Sequence, residues 1–192
     1  TDPPFYFGVD LSYVNEVEDC GAVYRENGAA RDPFELFAEH GATLVRARLW
    51  HTPDWTDYST LADVKRTFSR ARAAGMATLL DIHYSDTWAD PGAQTIPAAW
   101  ADLDDAELAD AVYTYTTDVL TELAADDLVP AFVQIGNETN GGLLKRGSDQ
   151  NWAHDAPLFS AGIRAVREFS ASTGNDIRIL LHIAQPENTG WW

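Results

Sequence analysis

The chain has 192 residues, 45% of them hydrophobic, and a formal charge of −17 from 30 acidic against 13 basic residues. That is enough for one substantial domain with its own core, and the negative field argues against nucleic acid or an anionic membrane as partner while leaving uncharged polysaccharide unopposed. No stretch reaches the length of a membrane span, and the polar start Thr1-Asp2-Pro3-Pro4 has no cleavable signal, which fits a mature secreted chain and a cytoplasmic one equally.

The single cysteine, Cys20, excludes an intrachain disulfide and a multi-cysteine metal site, and reads as a small buried or semi-buried thiol. Lys65 and Lys145 are the two lysines. Acid excess with so little lysine fits simple solubility, and a salt-adapted surface as the second reading.

Phe5-Tyr6-Phe7-Gly8-Val9 predicts a first strand ending near Asp10. The polar stretch from there to Ala30, with Gly21 and Gly28, reads as loop. Asp32-Pro33-Phe34-Glu35 then starts a helix: Asp32 caps, Pro33 sits in the first turn, Glu35 completes a capping box, and Gly41 ends it after His40. Thr43 to Trp50 is a second strand. Ser59 or Thr60 opens a helix with Leu61, Val64 and Phe68 on one face, closed by Gly75. Met76 to His83 is the third strand, and Tyr84 to Asp102, with Pro91, Gly92 and Pro97, is a long loop. Asp104-Asp105-Ala106-Glu107 is another capping box, starting a helix with Leu108, Val112, Tyr115, Val119 and Leu123 inward. Pro130 to Ile135 is the fourth strand, Pro157 to Ser172 a helix stopped by Gly174, and Ile177 to Ile183 the fifth strand.

Strands that are nearly continuous apolar runs, alternating with helices, predict a parallel sheet buried on both faces, an α/β fold. Polar residues cluster where the strands end: Asp10, Arg46 and Arg48, His83, Asn137-Glu138 and His182. That edge carries the chemistry in parallel α/β sheets. No glycine-rich phosphate loop follows the first strand, which favours a (β/α)8 TIM-type barrel over a doubly wound sheet. Eight such units need about 250 residues, so residues 1–192 are expected to be the N-terminal portion of one barrel domain, with about its first five βα units. The two open edges then call for a second chain or the remaining half of the barrel.

Specific segments carry a resemblance. They are Gly8-Val9-Asp10, Leu44-Val45-Arg46-Ala47-Arg48-Leu49-Trp50, Asp81 to Gly92 (Asp-Ile-His-Tyr-Ser-Asp-Thr-Trp-Ala-Asp-Pro-Gly), Val133-Gln134-Ile135-Gly136-Asn137-Glu138 with Asn140-Gly141, and Leu180-Leu181-His182. In these the chain resembles the endo-β-1,4-galactanases of glycoside hydrolase family 53, within the clan of retaining (β/α)8 glycosidases. The resemblance implies a secreted, extracellular enzyme that cleaves β-1,4-galactan, a pectin side chain, within the polymer. It implies Glu138 as acid/base, and a nucleophilic glutamate at the end of a seventh strand, to which no residue here corresponds. The chain by itself is therefore expected to be inactive, and Glu187, Glu16, Glu18 and Asp10 are poor substitutes for the missing carboxylate.

Such a bond breaks through an oxocarbenium-like transition state, with one carboxylic acid protonating the leaving oxygen and a carboxylate about 5–5.5 Å away attacking the sugar. Asn137 would bond the sugar 2-hydroxyl, or serve as a turn amide. Arg46 and Arg48 share a face of their strand; the motif favours Arg46 as the group that keeps the nucleophile ionised, with a structural ion pair as the alternative. His83 and His182 either line the site or bond structurally. Asp86 and Asp90 bind sugar hydroxyls or cap their own loop, and Asn140 is carried over as a substrate contact. Among the tryptophans Trp88 is the best sugar platform; Trp50, Trp152, Trp191 and Trp192 are weaker ones. No cofactor is implied. For a metal, Asp81 and His83 alternate on a strand but lack a third ligand. Two other readings stand beside this one: a non-catalytic carbohydrate-binding or half-barrel assembly module, and a related clan enzyme acting on mannan or cellulose.

Overall fold

The computed structural model describes residues 5–147, 151–185, 187 and 190. In chain order its elements are β1 (Gly8–Asp10), α1 (Val14–Asp19), β2 (Arg25–Glu26), β3 (Ala29–Ala30), α2 (Pro33–Glu39), β4 (Leu44–Leu49), α3 (Leu61–Ala73), β5 (Ala77–Ile82), α4 (Asp105–Ala125), β6 (Phe132–Ile135), α5 (Trp152–Thr173) and β7 (Arg178–Leu180). β1, β4, β5, β6 and β7 form one sheet in that order, every pairing parallel. Strand order equals chain order, so the sheet has no switch point of the kind a doubly wound fold shows. This is the progression of a (β/α)8 barrel over its first five strands.

Alternation along the strands divides the two faces. Ala47 and Leu49, Leu80 and Ile82, and Val133 and Ile135 point outward into the main core with Val64, Phe68, Leu120, Leu123 and Val166 of the covering helices. Leu44, Leu79 and Phe132 form a separate apolar cluster with Tyr6, whose ring meets Phe132 edge-on at 5.0 Å. Arg46, Asp81 and Gln134 follow these residues at the next same-face positions, so polar groups occupy the sheet's carboxyl end. Both edge strands are poorly covered: β1 and β7 alternate between exposed and half-buried residues, and Leu180 and Leu181 are exposed.

The helix signals read well. Asp32 accepts from the N–H groups of Phe34 and Glu35, which is one half of the expected box, while Asp104 and Glu107 form the full reciprocal box. Thr60 caps α3.

Four expectations need correction. The stretch to Ala30 is not all loop: it holds α1 and the β2–β3 hairpin. α1 escaped the apolar pattern because it is six residues long and adds only Val14 to an apolar core cluster, the rest of its docking being polar. Asn15, buried, donates to Asp63 Oδ1 at 2.7 Å and Thr67 Oγ1 at 2.9 Å, and Arg70 of α3 reaches back to Asn15, to Glu18 and to Asp32. The hairpin turns on Asn27-Gly28, both at positive φ, as a two-residue turn requires. Cys20 is exposed, since it caps the C-terminus of this short helix. α5 begins five residues before Pro157, because Asn151 supplies the cap by accepting from Ala153 N. Tyr84 to Asp102 contains a single 3-10 turn, Ala98–Trp100. Among the described residues no helix is long and apolar enough to cross a membrane.

Candidate active site

Gly136 ends β6 at φ +79, and a Cβ there would lie 2.6 Å from Thr139 Cγ2 and 2.8 Å from Leu143 Cδ1. The chain can therefore fold tightly back on itself at this point, with Asn137 inward and Glu138 next. Glu138 adopts a left-handed backbone (φ 49, ψ 51), which costs a non-glycine residue about 1–3 kcal/mol and persists when its surroundings hold it. The exit of β7 does the holding. Thr139 N donates to His182 O at 2.8 Å, Thr139 Oγ1 donates to the same oxygen at 2.9 Å, and both ends of the Asn140 amide bond the backbone of Ala184. Glu138 is half-buried, and no hydrogen bond to its carboxyl group forms among the described residues.

Beside it runs a polar chain, half-exposed at Asp10 and buried at Asp81, His83 and Asn137. Arg46 donates through Nη1 to Asp10 Oδ2 at 2.5 Å and through Nη2 to Asn137 Oδ1 at 2.8 Å; Nη2 also lies 2.6 Å from Asp81 Oδ2. Asp81 is fully buried and accepts from Gln134 Nε2 through its other oxygen. His83 Nδ1 accepts from Ala89 N at 3.1 Å, which leaves the proton on Nε2, 3.0 Å from Asp81 Oδ2. Asn137 Nδ2 donates to Ala89 O at 2.8 Å, and the Asn137 carbonyl accepts from Gln94 Nε2 at 2.7 Å. Burial works to raise the Asp10 carboxyl, but hydrogen bonds from Ser12 and the Arg46 charge outweigh it, so Asp10 sits below the usual range and stays ionised.

His182 Nδ1 lies 3.1 Å from Glu138 N and 2.9 Å from Asn137 Oδ1. It can accept from the first or donate to the second, and the tautomer decides which. Burial, then the Arg46 charge, lowers its pKa; burial also lowers that of His51, against the pull of Asp86. A histidine with a folded pKa below the ordinary 6.5 binds its proton more readily when unfolded. Its share of stability is then complete above the unfolded value and drains away as pH falls below it. The melting temperature of the full-length protein should drop between about pH 7 and about pH 5, and a His51→Gln/His182→Gln variant should show a flatter profile. A wild-type melting temperature that holds or climbs over that interval would contradict this.

Several predicted site residues thus converge: Arg46, Asn137, Glu138, His83 and His182 form one connected cluster. Of the uses left open for Asp86, the loop cap is the one seen, its oxygens accepting from Thr52 N at 3.0 Å and Ala98 N at 2.8 Å. Asp90 likewise caps its loop through Gly92 N. Asn140 is buried with both ends of its amide on Ala184, and His83 is buried within the polar chain. Arg48 does not share the Arg46 network; it turns toward Tyr13, Trp50 and Trp88. Trp88 is 40% exposed and Trp50 is buried, whereas Trp152 lies in the first turn of α5. Trp191 and Trp192 lie outside the described residues. Sequence reading missed Gln94, which carried no signal, and Gln134, a lone polar residue inside an apolar run. It also missed exposed Tyr13 and Trp55. Among the described residues no group of three His, Cys, Asp or Glu side chains could hold a metal.

A model described as glycosyl hydrolase family 53 matches residues 6–192. An arabinogalactan endo-β-1,4-galactanase from Cellvibrio japonicus is 55% identical over 98% of this chain and 52% of its own length. Among solved structures, one from a study of two fungal β-1,4-galactanases superposes with a TM-score of 0.89 at 36% identity, over 97% of this chain and 57% of the other. The family 53 catalytic domain from Ignisphaera aggregans gives a TM-score of 0.85 at 36% identity, over 95% and 52%. The chain spans about half the length of the curated relatives it matches.

Proposed function

This chain belongs to glycosyl hydrolase family 53, and on that footing we propose that it is the acid/base-bearing portion of a retaining endo-β-1,4-galactanase. Residues 1–192 are then the first five βα units of a single catalytic domain. The exposed edges at β1 and β7 are closed by strands of the same polypeptide outside this sequence, one of which brings the nucleophilic carboxylate. The observation that carries the reading is Glu138: a carboxyl group without intrachain hydrogen bonds among the described residues, in a left-handed backbone just past a buried strand, beside the Arg46–Asn137 chain.

In the first step the Glu138 carboxyl proton goes to the bridging oxygen as the bond from C1 to that oxygen breaks, and the nucleophile carboxylate bonds C1. In the second, the Glu138 carboxylate takes a proton from water, the water oxygen bonds C1, and the nucleophile leaves. Asn137 Nδ2 has one hydrogen bonded to Ala89 O; its second hydrogen is the donor for the sugar 2-hydroxyl. Arg46 keeps the nucleophile ionised, as it helps the Ser12 hydrogen bonds to do for Asp10. Trp88 is the platform for a pyranose face. The substrate is neutral, so the charge of −17 does not repel it. A polymer of plant cell walls lies outside the cell that degrades it, so the same reading includes secretion.

Release of reducing ends from galactan, mannan and β-glucan by the full-length protein tests this. Galactan should be cleaved fastest, with internal cuts giving oligosaccharides early. Faster cleavage of mannan or β-glucan would move the protein to a related specificity, and no cleavage of any would end the hydrolase reading.

A further inference from the structure

Arg48 is a buried cation whose surroundings differ from those of Arg46. It is 4% exposed, yet no carboxylate pairs with it among the described residues. Its Nε donates to Ser59 Oγ at 2.8 Å, and its guanidinium carbon lies 3.8 Å from the Tyr13 ring centroid, 4.8 Å from Trp50 and 5.2 Å from Trp88. Ring faces can compensate a desolvated guanidinium in place of an anion. Three separate loops meet at this one side chain: Ser12 and Tyr13 after β1, Trp50 and Ser59 after β4, and Trp88 after β5. The Arg48 backbone N–H, donating to Ser12 Oγ at 3.0 Å, ties in the first of these. Ser59 is buried in a left-handed backbone (φ 55), an uncommon arrangement for serine that presents its hydroxyl to Arg48.

Besides Arg48, Trp88 meets the His83 ring edge-on at 5.4 Å and Trp50 is buried, whereas the Tyr13 ring is half exposed. Among the described residues no hydrogen bond is made by the Tyr13 hydroxyl or the Trp88 indole N–H, and the buried Trp50 Nε1 has no partner. Trp50 in turn packs against Trp55, ring centroids 5.1 Å apart and planes tilted by 39°. Tyr13, Trp55 and Trp88 are exposed, so the cluster shows an aromatic wall to solvent. That wall begins next to Glu138: Trp88 precedes Ala89, whose carbonyl accepts from Asn137 Nδ2.

We propose that Arg48 is a positioning residue for saccharide binding, the cationic brace that sets the Tyr13 and Trp88 rings as one wall of the groove beside Glu138. It rests on the saccharide reading above. Arg48 itself need not touch sugar; its work is to remove rotamer freedom from rings that would otherwise have to be ordered by the ligand.

The experiment uses the full-length enzyme with Arg48→Met, Arg48→Lys, Trp88→Ala and the Arg48→Met/Trp88→Ala pair. Arg48→Met should raise KM on the polysaccharide about ten-fold with kcat held within about two-fold, the worth of one ordered aromatic contact. Arg48→Lys, still a cation, should recover part of that. The paired variant should be no worse than the poorer single, because both remove the same wall. Near-UV circular dichroism should lose aromatic signal in Arg48→Met while the far-UV spectrum stays unchanged. Multiplying KM effects in the pair, or a fall in kcat at constant KM, would overturn the brace. If Arg48→Met does not fold, Arg48→Lys alone decides by its KM and near-UV signal. If the protein cleaves no polysaccharide, the hydrolase reading has failed, and the near-UV comparison still judges whether Arg48 orders the rings.

Discussion

Replacing Glu138 by glutamine in the full-length enzyme should cut turnover on the polysaccharide by about 10²–10⁴-fold, the usual worth of a positioned general acid. The amide matches the carboxyl group in shape, and the backbone that positions it is held by Thr139, Asn140 and His182 rather than by the Glu138 side chain. The variant should therefore fold normally and bind substrate with little change in KM. Loss should depend on the leaving group. A sugar hydroxyl cannot depart without a proton, whereas an activated phenolate can, so bond cleavage on an activated aryl galactoside should be far less impaired. The second step, in which the same residue takes a proton from water, should then limit the rate and let the covalent glycosyl-enzyme accumulate. A small anionic nucleophile such as azide needs no such proton transfer, and should restore turnover on the aryl substrate but not on the polymer. Equal losses on both substrates, with no rescue, would remove Glu138 from the acid/base role.

How much of this was readable from the chain follows from what each signal measures. β4, β5 and β6 were legible because a strand covered on both faces must be apolar nearly throughout, and such runs are hard to mistake. β7 is three residues rather than the expected seven, because its ladder with β6 runs only from Arg178 to Leu180, and beyond it His182 O accepts from Thr139 N in the turn after β6 instead. α1 was invisible because one buried apolar residue, Val14, makes no period, and the remaining docking runs through polar contacts of Asn15, Glu18 and Arg70. For the site, residues at strand ends were identifiable in type and position, but not in what they touch. Arg46 and Arg48 are alike by alternation; their tertiary partners separate them, Arg46 reaching Asp10, Asp81 and Asn137 while Arg48 reaches Ser59 and the Tyr13 ring. Asp86 and Asn140 sit in the right motifs, but their oxygens serve backbone N–H groups of Thr52 and Ala184, segments remote in sequence, and in the case of Asp86 also Ala98 of its own loop. Such partners exist only once the strands are in register, so no local pattern announces them.

The Arg46–Asp81 pair makes loss of Arg46 costly to stability. Asp81 is fully buried, and its formal charge is answered by Arg46 Nη2 at 2.6 Å. Gln134 and His83 satisfy its oxygens as donors but bring no full charge at neutral histidine. Arg46→Met keeps the aliphatic bulk and strands that carboxylate, a change that costs about 3–5 kcal/mol when one partner of a buried pair is removed. Asp10, half-exposed, can return to water and should contribute little. Adding Asp81→Asn to Arg46→Met takes away the stranded charge, and its one acceptor oxygen can still take a hydrogen bond from Gln134 or from His83 but not from both, so part of the lost stability should return. Activity should not return with it, because Asn137 Oδ1 has lost the guanidinium that fixes it and the incoming nucleophile has lost its positive neighbour. Denaturant unfolding of the full-length single and double variants, read beside kcat on polysaccharide, separates the two roles. If Arg46→Met unfolds like the parent, or the double variant is no more stable than the single, the pairing with Asp81 is not what holds this end of the sheet. If the double variant regains turnover together with stability, Arg46 is a structural cation and the catalytic part of its assignment is lost.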